Sequence, residues 1–257
     1  MAALRLLTPR RVAAAVVLVL LANAFLLFGD RARPVSVEAA VADFSHGEHM
    51  TAPPLPAAGV YVYDTTGSER VDRLSIHRAY PPVTTRTVRA SGGACGYRED
   101  VTVFREHVEV YEVCHEGADV RDVSFETRLT YYFVTTRTVL RCGRGGTRIA
   151  AGMSPGETTS YECSGDGVTA TVTVTYGGPG ITTVDGLDTP CRAVTLVTVL
   201  RGSTTGGARR ALCVDERTGL VLTEERSVGV VTRDRFVGRV AYSEQATFRL
   251  RSLVPER

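Results

Sequence analysis

Residues Cys191–Val228 read CRAVTLVTVLRGSTTGGARRALCVDERTGLVLTEERSV. Three antiparallel strands follow one another in this stretch. The apolar run Ala193–Leu200 ends in a turn-rich loop, Gly202 to Gly207. The chain returns through Ala211–Val214, turns at Asp215–Gly219 and leaves through Leu220–Leu222. β-branched runs bounded by Gly, Asp and Thr clusters are the mark of strands and hairpins. Cys191 and Cys213 flank the first hairpin, so a bridge between them would tie its open end. The stretch predicts an extracytoplasmic β-domain.

The same pattern runs outward in both directions. In GVYVYDTTG, from Gly59, Val60 and Val62 alternate with Tyr61 and Tyr63, the period of a strand. Val71–Tyr80 and Thr84–Ala90 follow, separated by Pro81–Pro82. Tyr97–Phe104 and Val108–Cys114 form a hairpin turning near Arg105–Glu106, and Val120–Leu140 reads as one bent strand or two. Val168, Ala170, Val172, Val174 and Tyr176 face one way, with threonines between them. Gly177–Gly180 reads as a turn before Ile181–Val184, and Gly186–Pro190 as another. Near the end, Phe236, Val240, Tyr242, Ala246, Phe248 and Leu250 share a parity, while Arg235, Arg239, Gln245, Thr247, Arg249 and Arg251 share the other. This predicts one buried and one wet face. Roughly twelve to fourteen strands result. The expected class is mainly β, an antiparallel half-barrel or sandwich over residues 58–254, with an N-terminal transmembrane helix.

That helix is read from Val12–Phe28, a run of 17 residues in which Asn23 is the polar exception; Arg5, Arg10 and Arg11 precede it. The length suits the short end of a membrane span, and the basic flank places residues 1–11 in the cytoplasm. The expectation is a retained signal anchor at 12–28, a linker at 29–57 and the β-domain outside the cytoplasm; cleavage and secretion is the alternative. Val35–Phe44 within the linker has the makings of a short helix. His46 and His49, in SHGEHM, lack a third ligand nearby and read as solvated.

The six cysteines are Cys95, Cys114, Cys142, Cys163, Cys191 and Cys213, separated pairwise by 19, 21 and 22 residues. An even count behind an export signal argues for disulfides. Each interval is about one hairpin long, so sequential pairing is expected. The absence of C-x-x-C spacing argues against zinc. All 30 basic residues are Arg, and a net charge of +2 gives no field for nucleic acid.

No catalytic or metal-binding motif emerges, and no cofactor is called for. The sequence has no nucleophile elbow, phosphate loop, H-E-x-x-H or dinucleotide fingerprint. His77, His107 and His115 read as surface residues. His107 and His115 each adjoin a glutamate in sequence, but neighbours in a strand point to opposite faces. Asp215–Glu216 and Glu224–Glu225 read as solvated charge, and Asp185 and Asp188 as turn residues. Arg209–Arg210, Arg233 with Arg235 and Arg239, and Arg249 with Arg251 lie among acidic residues as a mixed surface. Were these arginines to converge, acidic wall polymer or anionic lipid would be the matching partner.

The segment CVDERTGLVLTEERSVG resembles the late strand-turn-strand of the LolA/LolB-like lipoprotein-carrier superfamily, which includes RseB-like sensors. The matching positions are Val214–Asp215, Thr218–Gly219–Leu220 and Glu224–Arg226, within about 17 residues. The resemblance implies a curved half-barrel over an apolar cavity that carries acyl chains. The chain departs from that pattern in lacking evident lid helices and in its six cysteines, and no ligand-lining residue is carried over. The functional expectation is a non-catalytic binding domain of the cell envelope, held at the membrane by its N-terminal helix. Its ligand would be lipid or another apolar molecule; the alternative is a structural or regulatory partner of another envelope protein, with a hydrolase behind both.

Overall fold

The structure, a computed structural model, describes residues 32–44, 55–72, 75–91, 96–116, 119–131, 134–143, 146–150, 152–234 and 238–257. The anchor reading at 12–28, His46, His49, Cys95, Arg235 and Phe236 lie outside the described residues. Among the described residues, one short helix, α1 (Val37–Phe44), precedes fourteen strands. The strands are β1 (Gly59–Val71), β2 (Ile76–Ala79), β3 (Val83–Ala90), β4 (Gly96–Phe104), β5 (His107–Glu116), β6 (Asp119–Tyr131) and β7 (Val134–Cys142). They continue with β8 (Thr147–Ile149), β9 (Thr158–Gly165), β10 (Val168–Val184), β11 (Leu187–Gly202), β12 (Thr204–Val214), β13 (Val221–Asp234) and β14 (Gly238–Leu250).

Neighbours in sequence pair antiparallel around a ring, and β14 returns to pair with β1 from Tyr63↔Leu250 to Val71↔Tyr242. The ring is therefore a closed barrel of twelve strands, with β2 paired to β1 and β8 to β6 beside it. This corrects the half-barrel or sandwich expectation. The two strands that would have been free edges satisfy each other, and closure removes the edge problem. β1 makes the closure possible by changing partners, from β3 over Gly59–Asp64 to β2 over Ser68–Val71. Gly67 sits at the change, with φ 153° and Gln245 O only 2.4 Å from where a Cβ would stand. The crossing is too close for any side chain.

Local turn chemistry sets the hairpins. Asp166–Gly167 and Asp185–Gly186 have φ of 50°, 72°, 53° and 73°, in two-residue turns between Gly165↔Val168 and Val184↔Leu187. Asp-Gly is the preferred pair for such turns, because both residues tolerate positive φ. The expected turn at Gly177–Gly180 is instead a bulge inside the 17-residue β10, between Tyr176 and Pro179. The expected loop at Gly202–Gly207 shrinks to a turn at Ser203, and Gly206–Gly207 pair in β12. Val120–Leu140 is two strands, β6 and β7.

Two disulfides join described residues, Cys142–Cys163 and Cys191–Cys213, in the sequential pairing that the spacing suggests. Cys114 is disulfide-bonded as well. Cys142 and Cys163 face each other across β7 and β9, which share just two residue pairs, Arg141↔Ser164 and Cys142↔Cys163. The covalent bond thus lies where the ladder is thinnest. Helix α1 lies on the outer wall: Ala40 and Phe44 pack with Ala58 and Val60. Arg33 is held at the β4–β5 turn by Glu106, so the chain from residue 32 is docked on the barrel.

Candidate functional site

A twelve-stranded barrel is wider than aliphatic side chains can fill. This chain adds long polar ones to an apolar core that includes Tyr63, Val172, Val174, Leu222 and Phe248. Arg86 on β3 donates to Glu99 at 3.0 Å and to Glu224 at 2.6 Å. Glu224 also accepts two bonds from Arg210 of β12, at 2.6 and 3.0 Å. Arg226 of β13 donates to Glu109 at 2.6 Å and pairs with Glu244 of β14. Arg78 of β2 donates to Glu69 at 3.0 Å and to the Thr130 carbonyl at 3.0 Å. Arg148 of β8 pairs with Asp122, which also accepts the Tyr161 hydroxyl. The guanidinium of Arg86 lies 4.5 Å from the Tyr63 ring centroid, and Arg226 lies 4.7 Å from Phe248. Both are in cation–π range.

His107 lies in the same interior, 1% exposed. Its Nδ1 is 2.8 Å from Glu69 and its Nε2 is 3.5 Å from Glu109. Burial disfavours the imidazolium, but the hydrogen bonds and charges of Glu109 and Glu69 outweigh it and raise the pKa to about 10. Glu224 is opposed by burial too, yet Arg210, Arg86 and Arg226 hold its carboxyl well below the usual range. With His107 protonated, six cations (Arg78, Arg86, Arg148, Arg210, Arg226, His107) match six carboxylates (Glu69, Glu99, Glu109, Asp122, Glu224, Glu244) among the described residues. This neutrality is what lets ions persist away from water.

The structure thus corrects three sequence readings. Arg210, read as part of a mixed surface, is turned inward onto Glu224. His107 is not a surface residue, and its partners are Glu69 and Glu109. Glu224 is buried, while Glu225 is exposed. His77 is exposed and His115 is half-buried beside Tyr97. Asp215 closes its own turn by accepting from Thr218 at 2.6 Å.

His107, Glu109 and Glu244 each bring one ligand atom within 4.8 Å of the others. The residues do not suit a metal, because the Arg226 guanidinium already pairs with both glutamates. Nor does the cluster suit acid–base catalysis, since every carboxylate in it is committed to an internal cation. The lower rim, which carries the β11–β12 and β13–β14 turns, is stopped by Val71, Ile76 and Tyr131 packed with Leu129, Val240 and Tyr242. A cleft of about 270 Å³ outside that plug is lined by Arg70, Val71, Asp72, Ser75, Ile76 and His77.

The outer wall offers a different surface. Ile181, Leu187, Val197 and Val199 are 72%, 69%, 41% and 45% exposed, and all belong to the β10–β11 hairpin. Val197 and Val199 stand on one face of β11, opposite Thr173 and Thr171 of β10 and Arg209 and Gly207 of β12. Ile181 and Leu187 lie where the hairpin outruns its neighbours. β9 pairs with β10 no further than Thr175, and β12 with β11 no further than Arg192. Residues 179–190 therefore form a two-stranded ribbon whose outer edges are unpaired among the described residues.

No protein family's model matches the chain, and no curated protein matches it. Among solved structures, the chain is similar to the hypothetical lipoprotein YmcC from Escherichia coli (K12), at 12% identity and a TM-score of 0.33, covering 77% of this chain and 85% of that one. A likeness at this level carries no argument about fold or function, and the LolA/LolB resemblance draws no support from it.

Proposed function

We propose that the chain is a non-catalytic interaction domain of the cell envelope that engages a partner protein through the β10–β11 hairpin. The observation that carries this is the ribbon over residues 179–190, whose outer edges are unpaired among the described residues and which exposes Ile181 and Leu187. Farther along the same hairpin, Val197 and Val199 expose an apolar pair on the outer face of β11. The unpaired edges of the ribbon add a backbone template for strand addition. The disulfides support an oxidising compartment outside the cytoplasm. Lipid carriage, the sharper reading from sequence, needs an apolar hollow in the space that Arg86, Arg226 and their carboxylates occupy.

The test places a photo-crosslinking residue at Leu187 or Val199 in the full chain in its native cells, with Thr159 as control. A discrete crosslinked product from both hairpin positions, lost with Val197→Asp, supports the proposal. Equal labelling from all three positions, or none, opposes it.

A further inference from the structure

Three half-buried arginines toward the upper rim have carboxylate partners: Arg192 with Glu216 at 2.8 Å, Arg121 with Glu116 at 3.0 Å and Arg98 with Asp100 at 2.7 Å. Near the lower rim, Arg70, Arg105, Arg201, Arg233 and Arg239 are exposed and make no ion pair among the described residues. Four of them lie along one side of the ring, on β11, β13, β14 and β1, with β12 between the first two. Arg233 and Arg239 stand directly opposite each other across β13 and β14. The β11–β12 turn adjoins them, since Arg233 N donates to Ser203 O at 3.2 Å. Like charges directly opposite are destabilising in a sheet, so the fold tolerates this arc without drawing stability from it. Other exposed arginines without an ion pair among the described residues, Arg141, Arg209, Arg249 and Arg257, are scattered away from this rim.

The chain also enters the barrel at this rim. Arg33 is fixed to the β4–β5 turn by Glu106 and by the Arg105 amide. Ala32 is four residues on from Phe28, the end of the apolar run. At full extension that is about 14 Å. A membrane holding 12–28 would therefore lie within reach of the lower rim, where surface potential attracts Arg within a Debye length.

We infer that the lower rim is a docking surface for anionic lipid headgroups, with Arg70, Arg201, Arg233 and Arg239 as the contact arc. The barrel then stands on the membrane with its upper rim and the β10–β11 ribbon pointing away from it. This rests on the membrane-anchor reading of 12–28.

The test uses the full chain with vesicles of phosphatidylcholine alone or mixed with phosphatidylglycerol. Arginine-selective phenylglyoxal labelling is read residue by residue by mass spectrometry, and flotation reports attachment. The expected result is flotation with both vesicles and a severalfold loss of labelling at Arg201, Arg233 and Arg239 with phosphatidylglycerol alone. Arg209 and Arg249 should not change, and high salt should restore labelling. Flotation with both but equal labelling of the arc overturns the docking surface and leaves the anchor standing. Flotation with neither overturns both.

Discussion

Arg86 of β3 and Glu224 of β13, 138 residues apart in the chain, meet inside the barrel at 2.6 Å with both side chains 1% exposed. Removing one partner strands the other in a dry interior, which costs about 3–5 kcal/mol. Glu224→Gln should lower stability by that amount in urea unfolding. Arg86→Met combined with Glu224→Leu also takes the partners of Glu99 and Arg210, and should therefore not recover the loss. An unchanged unfolding midpoint in Glu224→Gln would count against the network.

His107 sets the alkaline side of the stability profile. Its folded pKa of about 10 lies above the ordinary value of 6.5. The stabilisation is therefore complete below about pH 6.5, declines above it, and is lost as pH rises through about 10. Glu69, Glu109 and Glu224 have lowered values, so their contribution is present above about pH 4.5 and lost as pH falls. Denaturation across pH 6–10 should show stability falling by a few kcal/mol in the native chain. His107→Gln should be less stable at pH 6 and flatter with pH. A parallel decline in both would show that His107 is not the group responsible.

Gly67 marks the place where β1 leaves β3 for β2 while still holding β14. Gly67→Val puts a side chain against Gln245 O and Ala246 and forces an unfavourable φ. The expected cost is about 1–3 kcal/mol. Amide exchange should rise first along Tyr63–Val71 and Tyr242–Leu250. Faster exchange spread evenly over all strands would contradict the assignment of Gly67 to closure.

The Cys142–Cys163 bond crosses a ladder of two residue pairs, whereas Cys191–Cys213 ties strands that share nine. Replacing either pair by serines should cost about 2–4 kcal/mol. The first replacement should also loosen β7 against β9, with faster exchange at Val139, whose amide donates to Asp166 at 2.7 Å across the same seam. The second should leave the β11–β12 amides protected. Equal local loosening in both would remove the special role of the seam.

The strands were legible in sequence because their alternation is strong, as at Val168–Tyr176. Closure was not, because it depends on a meeting of the two ends of the domain, Tyr63–Val71 and Tyr242–Leu250, which no local signal announces. The two Asp-Gly pairs were a readable turn signal, and Asp185–Gly186 locates the hairpin tip that a Gly-Gly-Pro bulge obscures. The interior charges escaped because hydrophobic alternation treats a charged residue as outward. Parity alone would have placed them inward: His107 and Glu109 alternate with Tyr111 and Val113, and Glu244 lies between Tyr242 and Ala246 on the buried face of β14. What parity does not reveal is which carboxylate meets which arginine, since Glu69–His107 and Arg86–Glu224 are contacts across the barrel.

The central claim is that this interior is complete without a ligand and that partners act on the outside. Native mass spectrometry of the full chain released from membranes, with lipid extraction of the same sample, tests it most directly. The account predicts that the mass of the chain alone persists once detergent is stripped, with no acyl lipid held in fixed ratio. An acyl lipid retained at one per chain, and lost on Arg86→Met, would contradict it and return the interior to the role of a binding site.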